Sequence, residues 1–199
     1  GQVVVDFTPE PLTQDVSFVF HIEKTADVVV DSLTAEISGI PSTMELTTGL
    51  ILAQKTYKLL FRPTYAALPS AADSASAEAL RCEASVNIPG IVRSHTEDMV
   101  TGPGILQIAI YTHYDYEEEG TQRKAAKVFH AGINLYHTLK ERKSLQWDEE
   151  ENGYRQASRS ITVEIGSPLN IDKDGILNGG STSTGLDQWI PGETFEIEV

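Results

Sequence analysis

The chain is poor in cysteine, in positive charge and in long apolar runs, and each shortage excludes a class of protein. Its 199 residues contain one cysteine, Cys82, which excludes an intramolecular disulfide framework. Lysine and arginine number 15 against 29 aspartates and glutamates, a formal net charge of −14. Because that charge repels phosphate backbones and anionic lipid headgroups, we predict no nucleic-acid partner. No apolar run reaches the length of a membrane helix, so we expect no direct insertion into a membrane.

The rest of the composition is that of an ordinary folded protein. Hydrophobic residues make up 40% of the chain and charged residues 22%, which is typical of globular domains with a hydrophobic core. We therefore predict a single domain over residues 1–199 that needs no metal or disulfide to fold. The glycine at position 1 is interpreted as the residue left when a tag or leader is removed, so an export signal would precede it.

The dominant hydrophobic period is two, which places alternate side chains on opposite faces of a β-strand. The inward rows predicted from this period are Val16–Phe18–Phe20–Ile22, Leu33–Ala35–Ile37, Tyr57–Leu59–Phe61, Leu80–Cys82–Ala84–Val86–Ile88, Leu106–Ile108–Ile110, Phe129–Ala131–Ile133–Leu135, Ile161–Val163–Ile165 and Phe195–Ile197–Val199. Charged residues on both sides of Gly120 predict a hairpin tip over residues 115–124. Residues 139–147 fit either a short helix or the tail of a long strand. The fold predicted is all-β, an antiparallel β-sandwich with Greek-key connections and little helix.

Local catalytic signatures are missing from the sequence. None of the five histidines belongs to a recognised ligand pair, and there is no nucleophile elbow, phosphate-binding loop or dinucleotide fingerprint. Cys82 lies in an inward row, which favours a buried hydrophobic role over a reactive thiol. We therefore predict that the chain is not an enzyme.

One loop has the spacing of a calcium site. The candidate ligands occupy positions one, three, five and nine of such a loop, with Gly175 at the sharp turn, and they are Asn170, Asp172, Asp174 and Asn178. Position twelve is Ser181 where a bidentate glutamate is expected. The alternative is an Asp-Gly turn with hydrogen bonds from side chain to backbone. We predict no cofactor other than calcium, for which this loop is the candidate site.

Three stretches carry a resemblance to a known family. They are residues 5–22, which lead from Val5-Asp6-Phe7 into the first predicted strand, residues 35–49, and the ending at 189–199, where Trp189 precedes the last strand. Together they resemble the C-terminal domain of fimbrillin-like surface lipoproteins of Bacteroidales, which are accessory or anchor subunits of fimbriae and cell-adhesion proteins. The resemblance implies a transthyretin-like sandwich, export to the outer membrane on a lipidated N-terminal cysteine, and a role in fimbrial assembly. The start of this chain has no such cysteine, and an N-terminal domain is expected before Gln2.

Two function hypotheses follow. The first is a cell-surface structural or adhesion subunit that binds other fimbrial or surface proteins by β-strand addition, with Val3–Phe7 and Thr194–Val199 as candidate strands. Each of these segments has the alternative of completing its own sheet. The second hypothesis is a glycan-binding module of a surface nutrient-uptake system, for which the candidate aromatic residues are Tyr111, Tyr114, Tyr116, Trp147, Tyr154 and Trp189.

Overall fold

The structure, a computed structural model, describes residues 11–68, 77–93, 102–148, 153–156, 158–176 and 189–197. These ranges form β-strands and one short helix. The strands are β1 Gln14–Thr25, β2 Val28–Met44, β3 Ile51–Phe61, β4 Thr64–Ala67, β5 Ala77–Ile88, β6 Leu106–Glu118, β7 Thr121–Ile133, β8 Leu145–Asp148, β9 Gly153–Gln156, β10 Ser160–Glu164, β11 Leu169–Ile171 and β12 Ile190–Ile197, and the helix is α1 Leu135–Glu141. No described helix has the length and hydropathy to cross a bilayer.

The strands form two sheets. One has five strands in the order β10-β1-β5-β4, with β11 also paired to β1, and the other has seven in the order β12-β7-β6-β2-β3-β9-β8. Buried side chains from both sheets form one hydrophobic core. The predicted all-β sandwich is confirmed, whereas its Greek-key topology stays a prediction.

The core lies where the two sheets face each other. The inward row of β1 is almost completely buried, since Val16 and Ile22 are 0% exposed and Phe18 is 1% exposed. Across the core, Phe61 of β3 stacks on Phe18 with ring centroids 5.9 Å apart. Cys82 of β5 is buried with the same core, as its inward row predicted. Burial of this apolar surface is the main stabilising term for the fold.

Two short strands depart from the antiparallel pattern. β10 lies parallel to β1, with Ser160 opposite Asp15, and β11 continues parallel to β1, with Leu169 opposite Ile22. Both strands follow the same edge of β1 in one direction because the chain passes from β10 to β11 without turning back. These two parallel pairs are the exception in an antiparallel sandwich, since the other strand pairs in the described ranges are antiparallel.

β2 keeps one face on the core because its register shifts; three irregularities interrupt its pairing, and the third, between Pro41 and Thr43, lies near its end. The pairing with β6 shifts between Val30 and Ser32, and the pairing with β3 shifts between Ile37 and Ile40. Each extra residue forms a β-bulge, and a bulge moves the inward positions from even to odd numbers or back. Val30, Ile37 and Ile40 are therefore all buried although their spacing does not follow a period of two.

The structure revises one prediction at β3 and resolves another around the helix. Tyr57 was predicted to point inward but is 44% exposed, because it lies opposite the second bulge of β2, whereas Leu59 and Phe61 pack against the core. The stretch 139–147 is divided between the end of α1 and β8. Asn134 caps α1, since its side-chain oxygen accepts the His137 N–H at 3.0 Å.

The hairpin tip is confirmed between β6 and β7. Glu119 and Gly120 have positive φ angles of 51° and 74° and connect Glu118 directly to its partner Thr121. Two consecutive residues with positive φ are the mark of a type I′ turn, which matches the twist of an antiparallel pair.

Candidate functional site

Strand β12 forms one edge of the seven-stranded sheet. It pairs with β7, so that Ile190 lies opposite Gly132 and Phe195 opposite Val128, with a register shift between Pro191 and Thr194. Among the strands that the structure describes, β7 is its only partner. The described part of the candidate strand at 194–199 therefore completes the chain's own sheet, and residues 3–7 lie outside the described ranges.

The edge strand contributes few buried side chains. Trp189, directly before β12, is buried in the core and packs edge-on against Phe20, with ring centroids 5.3 Å apart. After Trp189, every described side chain of β12 is exposed or half-buried, and Ile190 and Phe195 are 40% and 50% exposed. The predicted inward row at the end of the chain is wrong at Phe195. Since few buried contacts hold β12, we expect its local stability to be low.

An apolar row lies on the outer face of the sheet beside this edge. Phe195, Val128 and Tyr111 are consecutive partners across β12, β7 and β6, and we call them the outer apolar row. Phe195 and Tyr111 are 50% and 36% exposed, whereas Val128 between them is 6% exposed. The ring of His130 meets that of Phe195 at 87°, with centroids 5.4 Å apart. The row is a water-facing apolar surface that reaches the edge strand.

Lys127 connects β7 to β12 and to the loop after β11. Its Nζ lies 3.1 Å from Glu196 Oε1 and donates a hydrogen bond of 2.6 Å to the Lys173 carbonyl oxygen. The same ammonium lies 5.5 Å from the ring centroid of Tyr114. Burial lowers the pKa of Lys127, but Glu196 and Tyr114 outweigh it and hold that pKa above its ordinary value. This contact set attaches the side chain of Glu196 on β12 to β7 and to the loop after β11.

The proposed calcium loop contains a hydrogen-bonded turn. Asp172 Oδ1 accepts hydrogen bonds from the backbone N–H groups of Asp174 at 2.7 Å and Gly175 at 2.8 Å. This confirms the alternative of an Asp-Gly turn stabilised by its own side chain. Asn170 lies on β11, and Asn178 is outside the described residues. Calcium binding stays a prediction, and the described part of the chain contains no group of three or more metal-ligating His, Cys, Asp or Glu side chains.

The tyrosines considered for sugar binding do not share one surface. Tyr111 belongs to the outer apolar row, whereas Tyr114 and Tyr116 lie on the opposite face of β6 because their positions differ from 111 by an odd number. Tyr114 and Tyr116 are neighbours with ring centroids 6.2 Å apart. Tyr116, at 39% exposed, projects near the hairpin tip. No continuous aromatic platform results from these three residues.

No described tryptophan side chain is placed to bind a sugar. Trp189 is 6% exposed and belongs to the core, which removes it from the candidate sugar-binding residues. The side chains of Trp147 and Tyr154 lie outside the described part of the structure. The aromatic set predicted from the sequence is therefore wrong at Trp189, and its three described tyrosines are divided between two faces.

Two further polar or reactive groups lie apart from the edge strand. Cys82 is 0% exposed, and burial raises the pKa of its thiol to about 12, so the reactive thiolate is suppressed. His113 Nδ1 lies 2.7 Å from Asp31 Oδ1 at the first bulge of β2. The residues of this pair are 82 positions apart and carry no local motif, so no pattern in the sequence indicated their contact.

Comparisons of the chain with family models, curated proteins and solved structures found no match. The outer apolar row and Lys127 were missed by sequence reasoning. The available signal was the apolar Val128, which occupies an outward position between Lys127 and the buried Phe129.

Proposed function

We propose that the chain is a non-catalytic structural or adhesion protein of the cell surface, a fimbria-associated subunit that binds other fimbrial or surface proteins through strand edges and loops. The observation that carries the proposal is the exposed edge strand β12 with the outer apolar row beside it. The resemblance of residues 189–199 to the end of fimbrillin-like lipoproteins covers this same strand. In this proposal the protein is exported and anchored at the outer membrane by a segment before Gln2.

An edge strand offers main-chain hydrogen bonds to an incoming strand. Within the described ranges the second edge of β12 faces no other strand, so its outward N–H and C=O groups are available for β-strand addition. Pro191 removes one donor, and the register shift that follows it disturbs the start of the strand. The regular part, Thr194–Ile197, is therefore the segment best suited to pairing.

Side chains beside this edge would give the pairing its specificity. The outer apolar row extends from Phe195 across Val128 to Tyr111, so a partner strand or loop that reaches over the edge buries apolar area as well as forming backbone hydrogen bonds. Glu193 and Glu196 are exposed on the same strand, and their charges oppose pairing between two identical copies of β12. The arrangement favours a different surface protein over self-association.

Strand addition is tested by removing the C-terminal segment that carries the free edge. A variant that ends at Glu193 is expected to keep its β-sheet circular dichroism and cooperative unfolding, because the deleted described side chains are exposed or half-buried. In crosslinking on intact cells, the full chain should form adducts with other surface proteins, and this variant should form none because it lacks the edge at Thr194–Ile197. Phe195→Asp in the full chain keeps the strand, and it should weaken the adducts without unfolding the protein.

Two results would contradict strand addition at β12. If the truncated variant is folded and forms the same adducts as the full chain, the partner binds elsewhere. If neither the full chain nor the variant forms adducts, β12 pairs with no surface protein.

Location is tested separately on intact cells that express the full-length protein. Antibody against this chain should label intact cells, and added protease should remove that label while a periplasmic protein stays intact. Detection only after lysis would place the protein inside the cell and refute a surface role.

A further inference from the structure

The five-stranded sheet ends at β10, and side chains of the chain itself cover the outer edge of this strand. Among the described strands, β10 pairs only with β1. Arg159 and Ile165, directly before and after β10, form backbone hydrogen bonds of 2.9 Å to β1. Because backbone groups of successive residues point to opposite edges of a strand, those pointing away from β1 belong to Ser160, Thr162 and Glu164.

Each of these three outward carbonyl oxygens accepts a hydrogen bond from a side chain. Arg142 Nη1 donates to the Thr162 carbonyl at 3.1 Å, and Arg142 Nη2 donates to the Glu164 carbonyl at 2.8 Å. Ser158 Oγ donates to the Ser160 carbonyl at 2.7 Å. An incoming strand would place its N–H nitrogens about 2.9 Å from the same oxygens. The guanidinium and the hydroxyl therefore occupy the positions that a pairing strand needs.

The backbone that carries these two side chains is fixed by the fold. The turn after α1 forms the two hydrogen bonds of a Schellman cap, both of 2.9 Å, from the N–H groups of Lys143 and Ser144. Lys143 is the left-handed residue of this motif, with a φ of 56°. Gln14 of β1 is 0% exposed, and its Nε2 donates to the Ser158 carbonyl at 2.6 Å. The cover over β10 is therefore part of the isolated chain.

The sequence of β10 suits pairing with a second copy of the same strand. In an antiparallel pair centred on Thr162, Ser160 of one copy lies opposite Glu164 of the other. Ile161 then lies opposite Val163, and both keep their contacts with the core. No like charges face each other in this pair, and like charges directly opposite are what destabilises such pairing. β12 differs in this respect, since its glutamates oppose self-pairing.

We propose that the outer edge of β10 is a self-pairing surface that Arg142 keeps closed. The arginine prevents the five-stranded sheet from continuing into the same sheet of a second copy. The inference goes beyond the fimbria-associated role and does not rest on it. Self-association is measured on the purified chain, whereas adducts at β12 are measured on intact cells, so each proposal can fail without the other.

The test is sedimentation equilibrium of the purified chain and of Arg142→Met, which removes the N–H donors but keeps a long unbranched side chain. Because Arg142 is exposed, the variant should keep its β-sheet circular dichroism. Its dissociation constant for dimer formation should be at least about tenfold lower than that of the unsubstituted chain. If Arg142→Met does not fold, Arg142→Gln takes its place, since its shorter side chain cannot bridge two carbonyl groups.

Two controls separate edge pairing from a general effect of charge. Arg123→Met removes another exposed arginine, at the hairpin tip, and changes the net charge by the same amount, so it should leave self-association unchanged. Thr162→Pro is combined with Arg142→Met to locate the contact. Proline removes an N–H that points away from β1, so the chain keeps its own sheet while a second copy can no longer pair. The double variant should return to the dissociation constant of the unsubstituted chain.

Hydrogen exchange locates the contact without a further substitution. In the Arg142→Met dimer, the amides of Thr162 and Glu164 should exchange more slowly than in the monomer. The proposal is overturned if Arg142→Met self-associates no more than Arg123→Met does. It is also overturned if a dimer forms but neither amide gains protection, because the copies then pair at another surface.

Discussion

Replacing Gly39 by alanine is expected to destabilise the fold by about 2–5 kcal/mol. The left-handed conformation required by its φ of 77° costs about 1–2 kcal/mol once a Cβ is present. The new Cβ would also lie 2.5 Å from the Gly104 nitrogen and 2.8 Å from the Pro103 Cβ, and these groups must move apart. Overpacking of this kind costs about 1–3 kcal/mol.

Gly49 provides a matched control for this substitution. Its φ of 71° is nearly the same as that of Gly39, but an added Cβ there meets no atom within 4 Å. Gly49→Ala should therefore cost only the conformational term of about 1–2 kcal/mol, and the gain from a less flexible unfolded chain is common to both variants. The difference between the two variants measures the contact with residues 103–104.

The measurement is urea unfolding followed by circular dichroism, with the free energy of unfolding taken from the midpoint and slope. Gly39→Ala should lose at least about 1 kcal/mol more than Gly49→Ala, with little change in the slope. Equal losses within about 0.5 kcal/mol, inside the usual error of such comparisons, would refute the close packing at the second bulge.

Three further predictions concern buried or capping groups. Because burial raises the pKa of Cys82 from 9.0 to about 12, the folded chain keeps a proton that the unfolded chain loses, so stability should fall by up to about 1.4 kcal/mol per pH unit above pH 9. Urea unfolding across this pH range should show a flatter dependence for Cys82→Val, and an unchanged slope would contradict the burial of the thiol. Asn134→Ala should lower the free energy of unfolding, measured by thermal unfolding, by about 0.5–2 kcal/mol, and Asn134→Ser should lower it much less. Equal losses in the two variants would show that the cap of α1 does not stabilise the fold. Lys127→Ala should increase amide hydrogen exchange in β12 more than Glu196→Gln does, because Lys127 also binds the Lys173 carbonyl. Equal increases in the two variants would show that only the ion pair with Glu196 holds β12.

Much of the core could be predicted from the sequence because β1 and β5 are regular. In β5 the inward row from Leu80 to Ile88 keeps a strict period of two, and each of its members is buried or packs against the core. The hairpin between β6 and β7 was equally clear, since opposite charges face each other across a glycine that permits positive φ.

The bulges of β2 could not be located by periodicity because each one reverses the parity of the inward positions. Gly39, which follows the predicted row Leu33–Ala35–Ile37, was an available signal, since glycine inside a strand often marks a bulge. No such signal precedes Asp31 at the first bulge. The exposed Tyr57 lies opposite the second bulge, and no pattern in the sequence indicated its exposure.

The parallel pairs at β1 and the surface beside β12 depend on contacts between distant segments. Paired residues of β10 and β1, such as Ser160 and Asp15, lie more than 140 positions apart in the chain, and they meet because both strands bury apolar side chains in the same core. Lys127, Glu196 and the loop at residues 172–175 likewise come together only in the folded chain. Local spacing carries no information about such contacts.

The hairpin of β6 and β7 extends beyond the core with every residue from Asp115 to Lys124 exposed. A tip of this kind tolerates inserted sequence, since no buried contact is disturbed. A short epitope placed between Glu119 and Gly120 would therefore be displayed to solvent at a defined distance from the sandwich. The strands β6 and β7 remain paired up to Glu118 and Thr121, so the turn between them is a suitable attachment site for a fluorophore or an affinity label.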